Sequence, residues 1–320
     1  MSRNLSLPVP EQRFDWIGQN PDGEAIAWLL YHQDHHQPIA SCKGIPRRYR
    51  SPGGEKTALL LADVCSNKEF RFALPALLLQ RQIREDFLAG VLAVDFLLCS
   101  SIPSLAAVQR RAGMAYLGAQ TRWSKPISLL RLRRMGRDYP LHIAIGADCL
   151  LATKRMFSTK GSGQFDLLTQ APGAEFDQFE NDLDQSADAF RPARSAAFLN
   201  WRFLQHPFYK HEIVTHRRNQ TLQGYAVIST RHPGVKTIVD IRSQSDDDFS
   251  LLLKMAERRA NGEGAGALWI HLNKKSRYCD LLKSNGFQAR SEPVRITAQN
   301  KSNDDCGLVG KPLFDADFDV

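Results

Sequence analysis

The sequence predicts a mixed α/β protein made of two related, packed modules, and three observations carry that prediction. Strand-like and helix-like patterns alternate through the first third of the chain, which is how a mixed sheet with helices on its faces is written in sequence. The same order of elements returns after residue 235 at nearly the same spacing. At 320 residues the chain has material for two cores of ordinary size.

Residues 25–31 and 38–45 read as strands on either side of the polar turn HQDHHQ, and 56–66 as a strand with an apolar centre. A helix follows over 72–88, with Leu74, Leu77, Leu78 and Arg81 at helical spacing. An apolar strand, 90–99, leads to a helix opened by Ser101-Ile102-Pro103 and closed by Gly113, and then to a strand over 114–123. In the second copy KTIVDIRS (236–243) echoes LLLADVCS (59–66), each with one acid near its end, Asp240 and Asp63. A leucine-rich helix around 251–259, a strand over 265–272 and a helix ending at Gly286-Phe287 complete the match with Gly113-Met114.

These patterns divide the chain into a first module (1–134), a connecting segment (135–190), a second module (191–300) and a flexible tail (301–320). Within the connector, LHIAIGADCLL (141–151) is expected to cross between the modules as an extra strand, and the acidic stretch 175–188 to lie on the surface. Two sheets with open edges would cover each other, so one compact unit is expected rather than two beads.

The 43% hydrophobic and 24% charged fractions describe a folded chain and exclude a multispan membrane protein or wholesale disorder. The longest apolar run, 87–102, contains Asp95 and is shorter than the about 20 residues that cross a bilayer. The first residues lack the apolar run of a secretory signal, so a cytoplasmic location is expected. Cys42, Cys65, Cys99, Cys149, Cys279 and Cys306 are scattered without a C-x-x-C pair and read as reduced thiols. His32, His35 and His36 read as a polar hairpin turn, and KGSG around Gly161 and Gly163 as a loop, since no Lys-Ser/Thr follows it; no metal is assigned. The formal charge of +8 suits an anionic partner, with basic clusters at Arg47, Arg48 and Arg50 and again from Arg122 to Arg137. No nucleic-acid reader motif accompanies them.

Residues 63–83, DVCSNKEFRFALPALLLQRQI, resemble the acyl-CoA-binding segment of GNAT-type N-acyltransferases: a strand, a short loop, and a helix opening R/Q-x-x-G-x-G/A. They are more similar to a bacterial GNAT-like group reading R-x-L-G-P-A-L-x-L-Q-R, matched by Arg71, Pro75, Ala76, Leu77, Leu79, Gln80 and Arg81. AFLNWRFLQHPFYKHEI and LQGYAVI resemble the start of that group's C-terminal half at Asn200, Trp201, Arg202, His206, Pro207, Tyr209, Gly224 and Tyr225. The resemblance spans about residues 20–125 and 195–298.

It implies two tandem GNAT-like modules and acetyl-CoA or a longer acyl-CoA as co-substrate, held by Val64, Cys65 and Ser66 on the strand and by Arg71, Phe72, Ala73, Leu74 and Ala76 at the helix start. Free N–H groups and the positive end of the helix dipole would receive the pyrophosphate there. It further implies a small-molecule amine acceptor, such as an amino sugar or amino acid, and Asp63 as the candidate base that deprotonates it, with a strand-end acid bonded to a neighbouring loop as the other reading of Asp63. Trp201, Arg202 and Tyr209 are substrate candidates, with an anchored core as the other reading of Trp201 and Arg202. Cys65 and Cys99 lack an activating partner and read as packing.

The chain departs from the pattern at Leu74, where the glycine is expected, and at SIPSLAAVQRRAG, which lacks the tyrosine many relatives use as general acid. The second copy has Gln244, Ser245 and Asp246 to Asp248 where a pyrophosphate would bind, so the first module is the expected acyl-CoA half. A catalytically degenerate binding or regulatory protein is the alternative.

Overall fold

The computed structural model describes residues 11–34, 36–51, 53–101, 103–157, 164–183, 191–273, 276–290 and 294–300. In chain order the elements are α1 (Gln12–Gly18), β1 (Ile26–Tyr31), β2 (Pro38–Ser51), β3 (Gly54–Ser66), α2 (Pro75–Leu88), β4 (Phe96–Ser101), α3 (Pro103–Arg111), β5 (Ala115–Pro126), α4 (Leu129–Arg134), α5 (Leu141–Phe157), β6 (Gln164–Leu167) and α6 (Ala174–Asp182). They continue with β7 (Arg191–Pro192), α7 (Ala196–Leu199), β8 (His211–Arg218), β9 (Thr221–His232), β10 (Val235–Ser243), α8 (Asp246–Gly262), β11 (Ala267–Asn273), α9 (Tyr278–Ser284), β12 (Gln288–Ala289) and β13 (Val294–Asn300). A 3-10 turn, Lys68–Ala73, precedes α2, and a π turn, Asn200–Leu204, follows α7.

One mixed sheet runs β1-β2-β3-β4-β13-β5-β11-β10-β9-β8-β6, with β7 beside β2 and β12 beside β5. Its centre is an exchange of strands. β13, from the end of the chain, lies between β4 and β5, and β5 in turn lies against β11. Each half thus completes the sheet of the other, which leaves no open edge at the seam.

The two halves repeat each other closely. β3 and β4 pair in parallel over four residues, as do β10 and β11, with a helix, α2 or α8, as the crossover. Both helices end at a glycine that takes a left-handed backbone, Gly90 (φ 79°) and Gly264 (φ 78°), as do α3 and α9 at Gly113 and Gly286. Trp16 and Trp201 stack 4.8 Å apart and exchange reciprocal bonds, each indole N–H donating to the other's backbone carbonyl. The same strand–helix–strand order thus occurs at two places in one sheet.

Two layers cover the sheet. On one face α2 buries Leu79, Ile83 and Phe87 against Leu59, Leu61 and Leu97, while α8 and α9 bury Phe249, Leu252 and Leu282 against Ile238, Leu268 and Ile270. Each such side chain contributes about 1.5–3 kcal/mol. On the other face Trp16 and Ile17 of α1, Phe176 and Phe179 of α6 and Phe198 of α7 pack over Leu60, Val227 and Val239.

Residues 141–151, expected as a crossing strand, are helical in α5. The alternation of Leu141, Ile143 and Ile145 is too short to hold a strand, and these side chains are about half exposed. Asp148, one helical turn beyond Ala144, fastens α5 by accepting from the Leu129 N–H and the Ser128 hydroxyl, both at 2.6 Å. The place of a central extra strand is taken by β13. The acidic stretch likewise forms α6 over part of its length, with Phe176 and Phe179 buried and Glu180 paired to Arg191. Residues 184–190, the loop at Gly161 and Gly163, His35, Cys306 and the tail 301–320 lie outside the described residues.

Candidate functional site

After Leu61 and Cys99, the last paired residues of the parallel ladder, β3 and β4 part. β3 continues through Ser66 beside β2 alone, and β4 continues through Ser100 and Ser101 beside β13. The departure is local in origin. The β2–β3 register slips between Ser41 and Lys43, and Asp63 inside the slip has φ 51°, so β3 bulges away from its neighbour. The result is a V-shaped opening whose β3 side is formed by Val64, Cys65 and Ser66, beyond the last residues that pair with β4.

α2 begins at the mouth of this opening. Leu74 is its N-cap, in the left-handed conformation (φ 51°), and among the described residues no side chain caps the first turn; Pro75 follows at N1. The N–H of Ala76 therefore lacks an intrahelical partner by helix geometry. Leu74 occupies a backbone state that glycine adopts most readily, in keeping with the glycine of the pattern it resembles; the leucine costs about 1–2 kcal/mol and leaves its side chain half exposed. Of Arg71, Phe72 and Ala73 only the backbone is described, within the 3-10 turn. The sequence reading started the helix at 72; Pro75, which favours N1, sets the observed start.

At the base of the opening lies a buried polar network that the sequence reading missed. Gln109 of α3 donates to Cys99 Sγ (2.5 Å) and accepts from the Ser101 (2.7 Å) and Thr297 (2.8 Å) hydroxyls. The signal was a glutamine one helical turn after Ala106, on the buried face of α3. Burial pushes the Cys99 thiol up, which agrees with its reading as packing rather than as a nucleophile. Cys65 is partly buried beside the opening.

Asp63 projects to the opposite face from α2. Its Oδ1 meets Arg13 of α1 at 2.6 Å and its Oδ2 meets Lys43 at 3.4 Å, while about a quarter of the side chain stays open to solvent. Lys43 also lies over the Phe14 ring, 3.4 Å from its centroid, and its burial lowers its pKa.

The second parallel pair parts in the same way. β10 and β11 pair only from Val235 to Ile238, and a register slip falls between Ile238 and Asp240. Its chemistry differs. Asp240 is fully buried, bound by Arg194 (2.6 Å) and the Tyr225 hydroxyl (3.3 Å). The start of α8 is closed by its own residues: Ser245 accepts from the Asp248 N–H, and the Asp248 carboxylate, itself buried, holds Ser245 Oγ (2.6 Å), His216 (3.0 Å) and Arg218 (3.2 Å). Two further acids, Asp246 and Asp247, occupy the first turn. A negative group from outside meets this helix end already neutralised.

Trp201 and Arg202, offered above as substrate contacts, are 2% and 0% exposed. They belong to the joint between α1 and the π turn, the indole stacked on Trp16 and the guanidinium 5.5 Å from the same ring's centroid. Both side chains are therefore placed in the core of this joint and away from the surface, as the anchored-core reading expects. Tyr209 is partly exposed and lies among His206, His211 and Arg231.

His211 carries a testable consequence. Burial, reinforced by Arg202 and other nearby cations, depresses its pKa to about 3, against about 6.5 when unfolded. Between these values the unfolded chain binds a proton that the folded chain refuses, so stability falls as pH drops below 6.5. The loss reaches about 2 kcal/mol by pH 5. Denaturant midpoints at pH 7 and pH 5 should show this decline in the wild type and a shallower one in His211→Gln.

No family model and no curated protein matches the chain. Solved structures do. A GCN5-related N-acetyltransferase from Anabaena variabilis aligns with a TM-score of 0.64 at 12% identity over 93% of this chain and 68% of that one. A probable N-acyltransferase from Enterococcus faecalis aligns at 0.62 and 11% identity over 91% and 66%. Saccharomyces cerevisiae N-myristoyltransferase, solved with bound myristoyl-CoA, aligns at 0.59 and 11% identity over 91% and 71%. This chain thus spans about two thirds of the length of these proteins. Among the described residues no group of His, Cys, Asp and Glu is placed to hold a metal, and no helix is long and apolar enough to cross a membrane. The parted parallel strands, the crossover helix and the likeness to these acyltransferases together identify the fold of this chain as that of the GNAT-type N-acyltransferase superfamily.

Proposed function

We propose that the chain is an acyl-CoA-dependent N-acyltransferase that moves an acyl group from coenzyme A to the amine of a small molecule such as an amino sugar or amino acid. The observation that carries the proposal is the difference between the two openings: the start of α2 is uncapped, whereas the start of α8 is filled by Asp248. Acyl-CoA would enter the first opening, its pyrophosphate at the N-terminus of α2 and its thioester beside Val64 to Ser66, where β3 has parted from β4. The amine nitrogen attacks the thioester carbon, the C–N bond forms as the C–S bond breaks, and the thiolate of coenzyme A departs. Asp63, at the bulge and partly open to solvent, accepts the amine proton, and approximation of the two substrates supplies most of the acceleration. The second opening would serve structure rather than binding.

Calorimetric titration with acetyl-CoA and a long-chain acyl-CoA tests this reading. Saturable binding of at least one is expected. Leu74→Asp, at an exposed position, sets a carboxylate against the pyrophosphate and should weaken binding roughly 10- to 100-fold, about 1.4–2.7 kcal/mol. Gln244→Asp, beside the start of α8, should leave it unchanged; Ser243 itself is buried against Gly224 and makes a poorer control. Absence of heat with either acyl-CoA would leave the degenerate binding or regulatory protein as the better description.

A further inference from the structure

We infer that a cationic cavity on the Asp63 face of the sheet recognises a negative group on the acceptor, so that the substrate is an amine that also carries a phosphate or a carboxylate. This rests on the acyl-transfer reading above. The cavity has a volume of about 620 Å³ and is lined by Arg122, Arg137, Arg290, His232, Tyr139 and Trp269, with no acidic side chain on its wall among the described residues. Arg137 and Arg290 make no ion pair among the described residues. The Arg122 guanidinium lies over Trp269, 4.4 Å from the ring centroid, and His232 tilts against the same ring at 5.3 Å. That arrangement fixes the plane of one guanidinium at the cavity wall, and Arg137 and Arg290 supply the further positive charge that a phosphate or carboxylate would meet.

Position ties the cavity to the transfer site. Trp123 is buried under α8, so its neighbour Arg122 points to the opposite face, the one that carries α1 and Asp63. Ser101, at the end of β4, is level with Arg295 and Ala119 across two strand spacings, and Arg122 lies three residues further along β5. At about 4.8 Å per strand and 3.3 Å per residue the Cα separation from Ser101, on the β4 wall of the opening, is roughly 14 Å, and from Asp63, one strand further, at least about 17 Å. An acceptor of modest size and an arginine side chain cover that distance together. The basic run from Arg122 to Arg137 is thus only partly a solvated surface. Arg131 is spent on the C-terminal end of α8, at Asn261 and Ala265, and Arg133 on the Tyr139 carbonyl, but Arg122 and Arg137 converge on the cavity.

The test is calorimetric titration of the full chain with two probe pairs, glucosamine 6-phosphate against glucosamine and glutamate against glutamine, alongside acetyl-CoA. At least one anionic probe should bind ten-fold or more tightly than its neutral counterpart, and the pair that discriminates identifies phosphate or carboxylate. In the double variant Arg122→Gln/Arg290→Gln this preference should vanish while acyl-CoA affinity stays within two-fold. Equal binding within both pairs, or retention of the preference in the variant, overturns the inference. So does a parallel loss of acyl-CoA affinity in the variant, which would assign the cavity to the phosphates of coenzyme A. Failure of the wild type to bind any acyl-CoA, with the anion preference intact, would instead count against the acyl-transfer reading alone.

Discussion

Replacing Asp240 with alanine is expected to destabilise the protein by about 3–5 kcal/mol, the cost of leaving a buried charge without its partner. Asp240 and Arg194 are both fully buried and 2.6 Å apart, and the Tyr225 hydroxyl, also buried, donates to the same carboxylate oxygen. Burial and the neighbouring carboxylate push the Tyr225 hydroxyl well above its usual pKa, so it stays a donor and cannot replace the lost charge. With the carboxylate gone, the Arg194 guanidinium faces Phe198 with no route to water. Thermal denaturation followed by circular dichroism should show the midpoint fall by about 10 °C. The double variant Arg194→Met/Asp240→Leu removes both charges and should recover most of the loss, since a buried pair is often no better than an apolar one of similar volume. Failure of the double variant to recover would mean that the carboxylate is needed for more than neutralising Arg194.

Asp63→Asn should lower turnover about 100- to 10,000-fold while leaving acyl-CoA affinity unchanged, the range that a positioned base contributes. The substitution keeps the shape and a carbonyl oxygen toward Arg13 and Lys43 but removes the proton acceptor. Release of the coenzyme A thiol, followed with a thiol-reactive dye in the presence of an amine that the wild type acylates, measures the first quantity; calorimetry measures the second. An Asp63→Asn variant that turns over within a few-fold of the wild type would reduce Asp63 to a tie between β3 and α1. The contrast with Asp240 is instructive. Both acids sit at the bulge of a parting strand and both meet an arginine from a segment on the same face, yet one retains an opening to solvent and the other is sealed.

Much of the candidate site was legible as segments. The strand ending at Ser66, the helix beginning near Leu74 and the match of Asp63 to Asp240 follow from periodicity and repetition, which are local. The left-handed conformation of Leu74 and Asp63 was not legible, because nothing in either side chain calls for it. It is imposed by the slip in pairing with β2 and by the need to turn the chain into α2. Trp201 and Arg202 illustrate a second limit. A tryptophan and an arginine in sequence suit a binding platform or a core anchor equally well, and the choice fell to Trp16, 185 positions away, whose indole completes the reciprocal pair.

The sequence by itself determined the α/β class, most of the strands and helices, the duplication and the absence of a phosphate-ready helix start in the second half, since each depends on short-range pattern or on the presence of charge. Only the tertiary structure decided the path through the centre of the sheet. Residues 141–151 and 294–300 are both short and apolar enough for a strand, and local pattern does not rank them. The gap between β4 and β5 needs a strand antiparallel to both, carrying Thr297 toward the Gln109 network and Ile296 and Ala298 toward Leu98 and Leu117 on the other face. Residues 294–300 alternate in that way, whereas 141–151 are held as a helix by Asp148 at the start of α4. Pairing partners distant in sequence, rather than intrinsic preference, settle which of two competent segments becomes the strand.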